Sequence, residues 1–184
     1  MFSRCALLIT IFLCLTVRAD AAHGAESDAF VPLYSLLNER LGYMEDVARY
    51  KTQNQIPVED REREAIVLED AYQLAATAGI DAATMEEFFA AQIAAAKAIQ
   101  YRFRADMLTR SMPERTIDLE REIRPALDRL GTDIVRMFAE ILRAGLVMQE
   151  EGRDLFSSTL TASLLTDADK DALFNAMLRV RLLR

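Results

Sequence analysis

The sequence predicts an all-α protein, a single-domain bundle of about six helices. Apolar residues recur at spacings of three and four along most of the chain. No β-branched alternating run of the kind that marks strands appears. Only four prolines and six glycines punctuate 184 residues, so connections are short and neighbouring helices should pack antiparallel. With 52% apolar and 28% charged residues, the chain can build a real core. It shows no internal repeat and no low-complexity segment.

The first 21 residues read as a secretory signal peptide, leaving 22–184 as the folded domain. Arg4 supplies the positive start, Cys5 to Val17 form an apolar run too short to span a bilayer comfortably, and Ala19-Asp20-Ala21 offers a cleavage site. Bulky Leu13 before Cys14 argues against a lipoprotein anchor. The first helix is expected from about Asp28 to Asn54, stopping before Pro57. A second runs from near Val58 to Gly79, a C′ glycine. Asp81 should cap a third that continues to about Met107, and Thr109 to Thr116, with Pro113, form a loop. A fourth covers about Leu119 to Ala144 with Pro125 in its first turn. A fifth runs from about Met148 to Ala162. Thr166 caps a sixth, with Asp169 completing an approximate capping box.

Charge and residue usage narrow the chemistry. Removing Arg4, Arg18 and Asp20 from 22 basic and 29 acidic residues leaves 20 and 28, a net charge of −8. Such a chain has no global field for nucleic acid or an anionic membrane surface, and after signal cleavage no segment to hold it in a membrane. Cys5 and Cys14 leave with the signal, so neither a disulfide nor a thiol nucleophile remains. The single histidine, His23, lies beside the cleavage site. A Ser/His/Asp triad, a histidine zinc site and a di-iron bundle site all need residues this chain lacks. No metal and no cofactor is expected.

What interrupts the apolar stripes is more informative. On the first helix Leu33, Leu36, Leu37, Leu41, Met44, Val47 and Ala48 share one face, and Arg40 and Lys51 fall on it, about three turns apart. On the third, Met85, Phe88, Phe89, Ile93, Ala96 and Phe103 form the stripe, with Gln92 and Gln100 inside it. The second should bury Ile66, Val67, Ala71 and Leu74; Arg63 extends that line, Glu64 adjoins it and Asp60 lies one turn earlier. On the fourth, Arg124 sits at the N-terminal edge of a stripe of Leu127, Leu130, Ile134, Met137, Phe138 and Ile141. Singly, each has a bland reading. A lone Arg or Lys on a stripe usually snorkels to water, Arg63 could pair with Glu59, and the glutamines could cap loops or bond a neighbouring helix. Four inward cations and a glutamine from four helices need a counter-charge, because burying an unpaired ion costs roughly several kcal/mol. Few acidic residues share these faces, and a small dicarboxylate ligand would supply the anion.

In order and spacing, Leu37-Asn38-Glu39-Arg40, Val47-Ala48-Arg49-Tyr50-Lys51, Ile56-Pro57-Val58-Glu59-Asp60, Arg63-Glu64, Gln92-Ile93 and Ala98-Ile99-Gln100-Tyr101 resemble the all-helical, type II chorismate mutases, specifically their secreted branch. The resemblance is clearest from Leu33 to Arg124, and the last sixty residues match loosely. It implies conversion of chorismate to prephenate without a cofactor, a periplasmic or secreted location, and a homodimer with each site inside one chain. By position, Arg40 matches the arginine that grips a substrate carboxylate, and Lys51 the lysine that contacts a carboxylate and the ether oxygen. Asp60, Arg63 and Glu64 match the second-helix cluster, Glu64 standing where the ring hydroxyl is bound. Gln100 matches the second donor to the ether oxygen, and Arg124 the arginine that this branch supplies from the same chain. Departures are Ala96 where many relatives carry Ser or Thr, Gln100 where some secreted members carry Glu, Val67 where others carry a polar residue, and the missing C-terminal disulfide.

The implied reaction is a unimolecular Claisen rearrangement, which needs no nucleophile, proton shuttle or metal. The protein must hold the enolpyruvyl arm over the ring and stabilise negative charge on the breaking ether oxygen. Guanidinium groups of Arg40, Arg63 and Arg124 suit the first task, and Lys51 and Gln100, as donors in a dry site, suit the second. A neutral amide at Gln100 donates at any ordinary pH, so activity should be roughly flat from mildly acidic to mildly alkaline conditions. Two other readings share these residues: a non-catalytic periplasmic module that binds a dicarboxylate or a partner protein, and a structural bundle whose cations point apart.

Overall fold

The computed structural model describes residues 28–111 and 117–183. The expected signal segment, His23 and Pro113 lie outside them. Among the described residues seven α-helices follow one another: α1 (Val31–Gly42), α2 (Met44–Gln53), α3 (Arg61–Ala78), α4 (Ala82–Asp106), α5 (Arg124–Arg143), α6 (Arg153–Thr159) and α7 (Asp167–Met177). Among the described residues there is no strand, only an isolated bridge between Ile80 and Leu182.

The expected first helix is two helices, α1 and α2, separated by Tyr43 alone. Tyr43 keeps right-handed helical dihedrals, and Val47 N–H still donates to its carbonyl at 3.0 Å, so the axis is interrupted without being turned back. Counting them as one rod recovers the six elements the periodicity predicts. After α2 the chain folds over its own end: Ile56 N–H bonds Lys51 O at 2.7 Å, with Gln55 in the left-handed region at φ 56°.

α3 starts later than expected, at Arg61, because Asp60 is the N-cap and accepts from Arg63 N–H. It ends at Gly79, whose φ of 75° is the left-handed C-cap conformation open to glycine at little cost. Asp81 precedes α4 as expected but makes no side-chain cap; its carboxylate holds Arg181 at 2.6 Å instead. Ahead of α5, Leu119–Ile123 form a π turn started by Asp118, which accepts from Glu120 and Arg121 N–H. The turn closes with Arg124 N–H on Leu119 O, and Pro125, which has no N–H to give, follows it, so proline sits in the first turn of α5 but not of the whole helical stretch. The expected fifth helix is shorter, a 3₁₀ turn at Glu150–Gly152 followed by α6. Thr166 and Asp169 form the capping box of α7.

Packing divides the bundle. α4, the longest helix, is flanked by α2, α3 and α7, while α5 packs against α1 and α3. An aromatic cluster ties α1 to α6 and α7: Tyr34 and Phe156 meet edge to face at 5.2 Å, and Phe156 and Phe174 lie 5.3 Å apart. The C-terminal tail returns to the α3–α4 turn, where Asp81 N–H bonds Arg181 O and Leu183 N–H bonds Gly79 O. The stripe of α3 is misjudged at Ile66, which is 45% exposed; Val67 and Leu74 are half-buried, and only Ala71 of the four is fully covered.

Candidate active site

The C-terminal half of α1, the end of α2, the start of α3, the middle of α4 and the start of α5 meet around one cavity. Arg40, Lys51, Asp60, Arg63, Glu64, Gln100 and Arg124 all line it, so the cations converge and the reading in which they point apart is removed. A second cavity between α3 and α5 shares Arg40, Val67 and Leu127 with the first.

Three polar side chains form the floor. Arg40 is 5% exposed, Lys51 6% and Gln100 5%. The Arg40 guanidinium lies over the Phe89 ring, 5.9 Å from its centroid, and its Nε has no hydrogen-bond partner. Burial pushes Arg40 down to about 10, against the nearby charge of Asp128. Lys51, in the last turn of α2, donates from Nζ to Val58 O at 2.6 Å. Burial lowers its ammonium below the ordinary 10.5, with Asp60 opposing and Arg124 adding to the shift. Gln100 Nε2 reaches Ala96 O at 3.2 Å and Met44 Sδ at 3.8 Å, while its Oε1 has no partner.

The rim is different. Arg63 pairs with Asp128 of α5, not with Glu59 as its helix spacing allowed. Arg124 is bound by Asp60 at 3.0 Å and Glu120 at 2.8 Å. Glu64 pairs with Lys97 at 2.9 Å and accepts from Asp60 N–H at 3.4 Å. Two of the four cations thus already have carboxylate partners, which corrects the expectation that a ligand must supply all of the counter-charge. Sequence reasoning missed Asp128 and Lys97, whose partners lie 65 and 33 residues away on other helices. It also treated Met44 and Phe89 as plain core, whereas one receives Gln100 and the other underlies Arg40. Glu59 instead accepts from Tyr101 Oη, and this bond holds the Glu59 carboxyl below the usual range.

The sequence profile of the family described as chorismate mutase type II matches residues 32–101, the stretch that supplies six of the seven residues. A protein named secreted chorismate mutase from Yersinia pestis is 37% identical over 80% of this chain and 79% of its own length. The chain belongs to the chorismate mutase family. A monofunctional chorismate mutase of Enterobacter agglomerans is 34% identical over 94% of this chain and 93% of its own. The crystal structure of the secreted Yersinia pestis chorismate mutase superposes with a TM-score of 0.76 at 36% identity, covering 82% of this chain and 97% of that one. The chorismate mutase structure from Burkholderia thailandensis gives 0.67 at 33% identity, covering 80% and 96%. Membership in this chorismate mutase family thus extends beyond the profile match, into the half that carries Arg124.

Proposed function

We propose that this chorismate mutase rearranges chorismate to prephenate in the cavity above Arg40, Lys51 and Gln100. The observation that carries the reading is the floor itself: a buried ammonium and a buried amide, from different helices, wall the same cavity as three guanidinium groups. Carboxylate capture alone would not call for the amide.

Arg40 takes one substrate carboxylate on the outer edge of its guanidinium, a planar fork that fixes the carboxylate's direction as well as its position. Arg124 and Arg63 take the other by exchanging an internal carboxylate for an external one. Glu64 accepts from the ring hydroxyl. Lys51 Nζ and Gln100 Nε2 donate to the ether oxygen, where charge develops as the C–O bond breaks and the new C–C bond forms. Donors fixed before the reaction need no reorganisation at the transition state, which is why they stabilise it more than water does. Folding the enolpyruvyl arm over the ring lowers the entropic part of the barrier.

Export of residues 22–184 after cleavage behind Ala21 is supported by the signal-like start and by the secreted relative. N-terminal sequencing of protein recovered from the periplasm or medium tests it. A homodimer with each site inside one chain rests on the resemblance, and sedimentation equilibrium tests that. For the reaction, the decisive experiment follows chorismate absorbance with purified protein and with Lys51→Ala. Rapid loss with formation of prephenate, abolished in the folded variant, is expected. No turnover by the folded wild-type protein would leave a dicarboxylate-binding module as the reading.

A further inference from the structure

Gln92 is the most anomalous buried polar side chain outside the site. It is 0% exposed in the middle of α4, and neither Nε2 nor Oε1 has a hydrogen-bond partner. Leaving a buried amide unpaired is costly enough that most proteins avoid it, and an apolar residue of the same size would fit the stripe better. It lines neither of the two cavities that Arg40 borders, so it is not a direct substrate contact.

Its neighbours on α4 say what it faces. Phe89, three residues earlier, lies under the Arg40 guanidinium. Ala96, four residues later, lines the same cavity as Arg40. Positions three and four apart share one helix face, so Gln92 lies between the residue under the Arg40 guanidinium and a residue of the cavity wall. Arg40 Nε, which can only donate, is itself buried and unpartnered. Among the described residues, the other unpartnered buried guanidinium atoms belong to Arg49, whose side chain is held by Asp46 and Phe103, and Arg104, held by Ile56 O. A buried acceptor without a partner thus lies on the α4 face whose Phe89 underlies the guanidinium, and the buried donor without a partner belongs to that guanidinium.

We infer that Gln92 is a positioning residue for Arg40: its amide oxygen takes the Nε hydrogen when the guanidinium engages a substrate carboxylate. The consequence is geometric. A guanidinium can hold a carboxylate side-on through Nε and one Nη, or end-on through both Nη atoms. Occupying Nε from below leaves only the end-on mode and aims it into the cavity. Gln92 acts through Arg40 and touches no substrate atom. The inference rests on the proposed role of Arg40.

The test is a cycle of Gln92→Met, Arg40→Lys and the double variant, read as KM and kcat alongside thermal unfolding. Gln92→Met keeps the side-chain volume and removes both orphaned atoms. It should raise KM roughly tenfold or more, change kcat little, and leave the melting temperature of the free protein equal or higher. In the Arg40→Lys background, which has no Nε, Gln92→Met should change KM less than twofold. An unchanged KM in Gln92→Met, or an equal effect in both backgrounds, would overturn the inference while leaving the site reading intact. No turnover by the wild-type protein would overturn both. A second measurement needs no variant. With prephenate at saturation, the Arg40 Nε–H should give an exchange-protected signal in ¹⁵N NMR, and its absence overturns the inference.

Discussion

Arg40 and Lys51 on the floor of the cavity are almost wholly buried, and among the described residues neither forms an ion pair with a carboxylate, though Asp128 and Asp60 act on them from farther off. Arg63 and Arg124 on the rim are about a quarter exposed, and each rests against at least one carboxylate of its own chain. The floor is held in place by packing: Phe89 under Arg40, the Val58 carbonyl on Lys51, and Ala96 with Met44 around Gln100. The rim is held by ion pairs that water screens. A partly exposed pair contributes little, so its members can change partners cheaply. A buried cation without a counter-ion is costly to the folded state, and a bound anion relieves that cost. Affinity can be shared between the two regions, but stabilisation of the transition state should reside in the floor.

Replacing Lys51 by Ala should give the largest effect, a loss of roughly 10²–10³ in kcat with an unchanged circular dichroism spectrum, because one preorganised donor is removed. The comparison breaks if the loss is confined to KM. The same residue predicts a pH limit. Lys51 donates fully only when charged, and burial lowers its pKa, so the alkaline limb of kcat/KM should appear below pH 10.5. Next, Arg40→Met should reduce kcat/KM by roughly 10² while raising the melting temperature, since it removes a buried charge along with a substrate grip. A lower melting temperature in differential scanning calorimetry would mean that the floor is stabilised by Arg40 and not strained by it.

Gln100→Glu should sharpen the distinction through pH. The carboxyl can donate only while protonated, so kcat should fall about tenfold per pH unit above its pKa and recover in acid, whereas the wild-type amide stays flat there. A flat profile in the variant would remove Gln100 from the ether oxygen. The smallest effect belongs to the rim. Asp128→Asn frees Arg63 from its partner and should lower KM by roughly two- to threefold with kcat unchanged. A rise in KM would show that Asp128 holds Arg63 in place instead of competing for it.

How much of this the sequence carries depends on the range of each interaction. The Asp60 and Gly79 caps of α3 and the Thr166–Asp169 box of α7 are local, and they are legible because the residues that make them are neighbours. Arg40 and Lys51 stand out because they break a strong stripe, and the resemblance then orders the remaining site positions. The interruption at Tyr43 is marked by Gly42 just before it, but the apolar stripe runs on across that glycine, so periodicity alone reads one helix. The shortened α6 depends on tertiary contacts: Gly152 sits against Tyr34 Oη and Met148 Sδ, where a Cβ would come within 3.3 Å of the hydroxyl. Ile66 misleads because α3 packs along a narrow line through Ala71 and Ala75, leaving much of its apolar surface in water. Asp128 and Lys97 could not be found, because nothing in a sequence shows which carboxylate reaches which cation across helices.

The tail that returns to the α3–α4 turn bears on the order in which the molecule can be finished during synthesis. Every side chain of the proposed site is made by the time the ribosome has passed Arg124. The turn between α3 and α4, however, keeps Gly79 O and Asp81 N–H for partners at Leu183 and Arg181, about a hundred residues later. Until those residues emerge, the turn joining the two helices that carry Arg63 and Gln100 lacks two of its backbone hydrogen bonds and keeps those made by Thr84 and Arg143. The last stitch therefore closes at the middle of the chain, long after the side chains that line the cavity have been made.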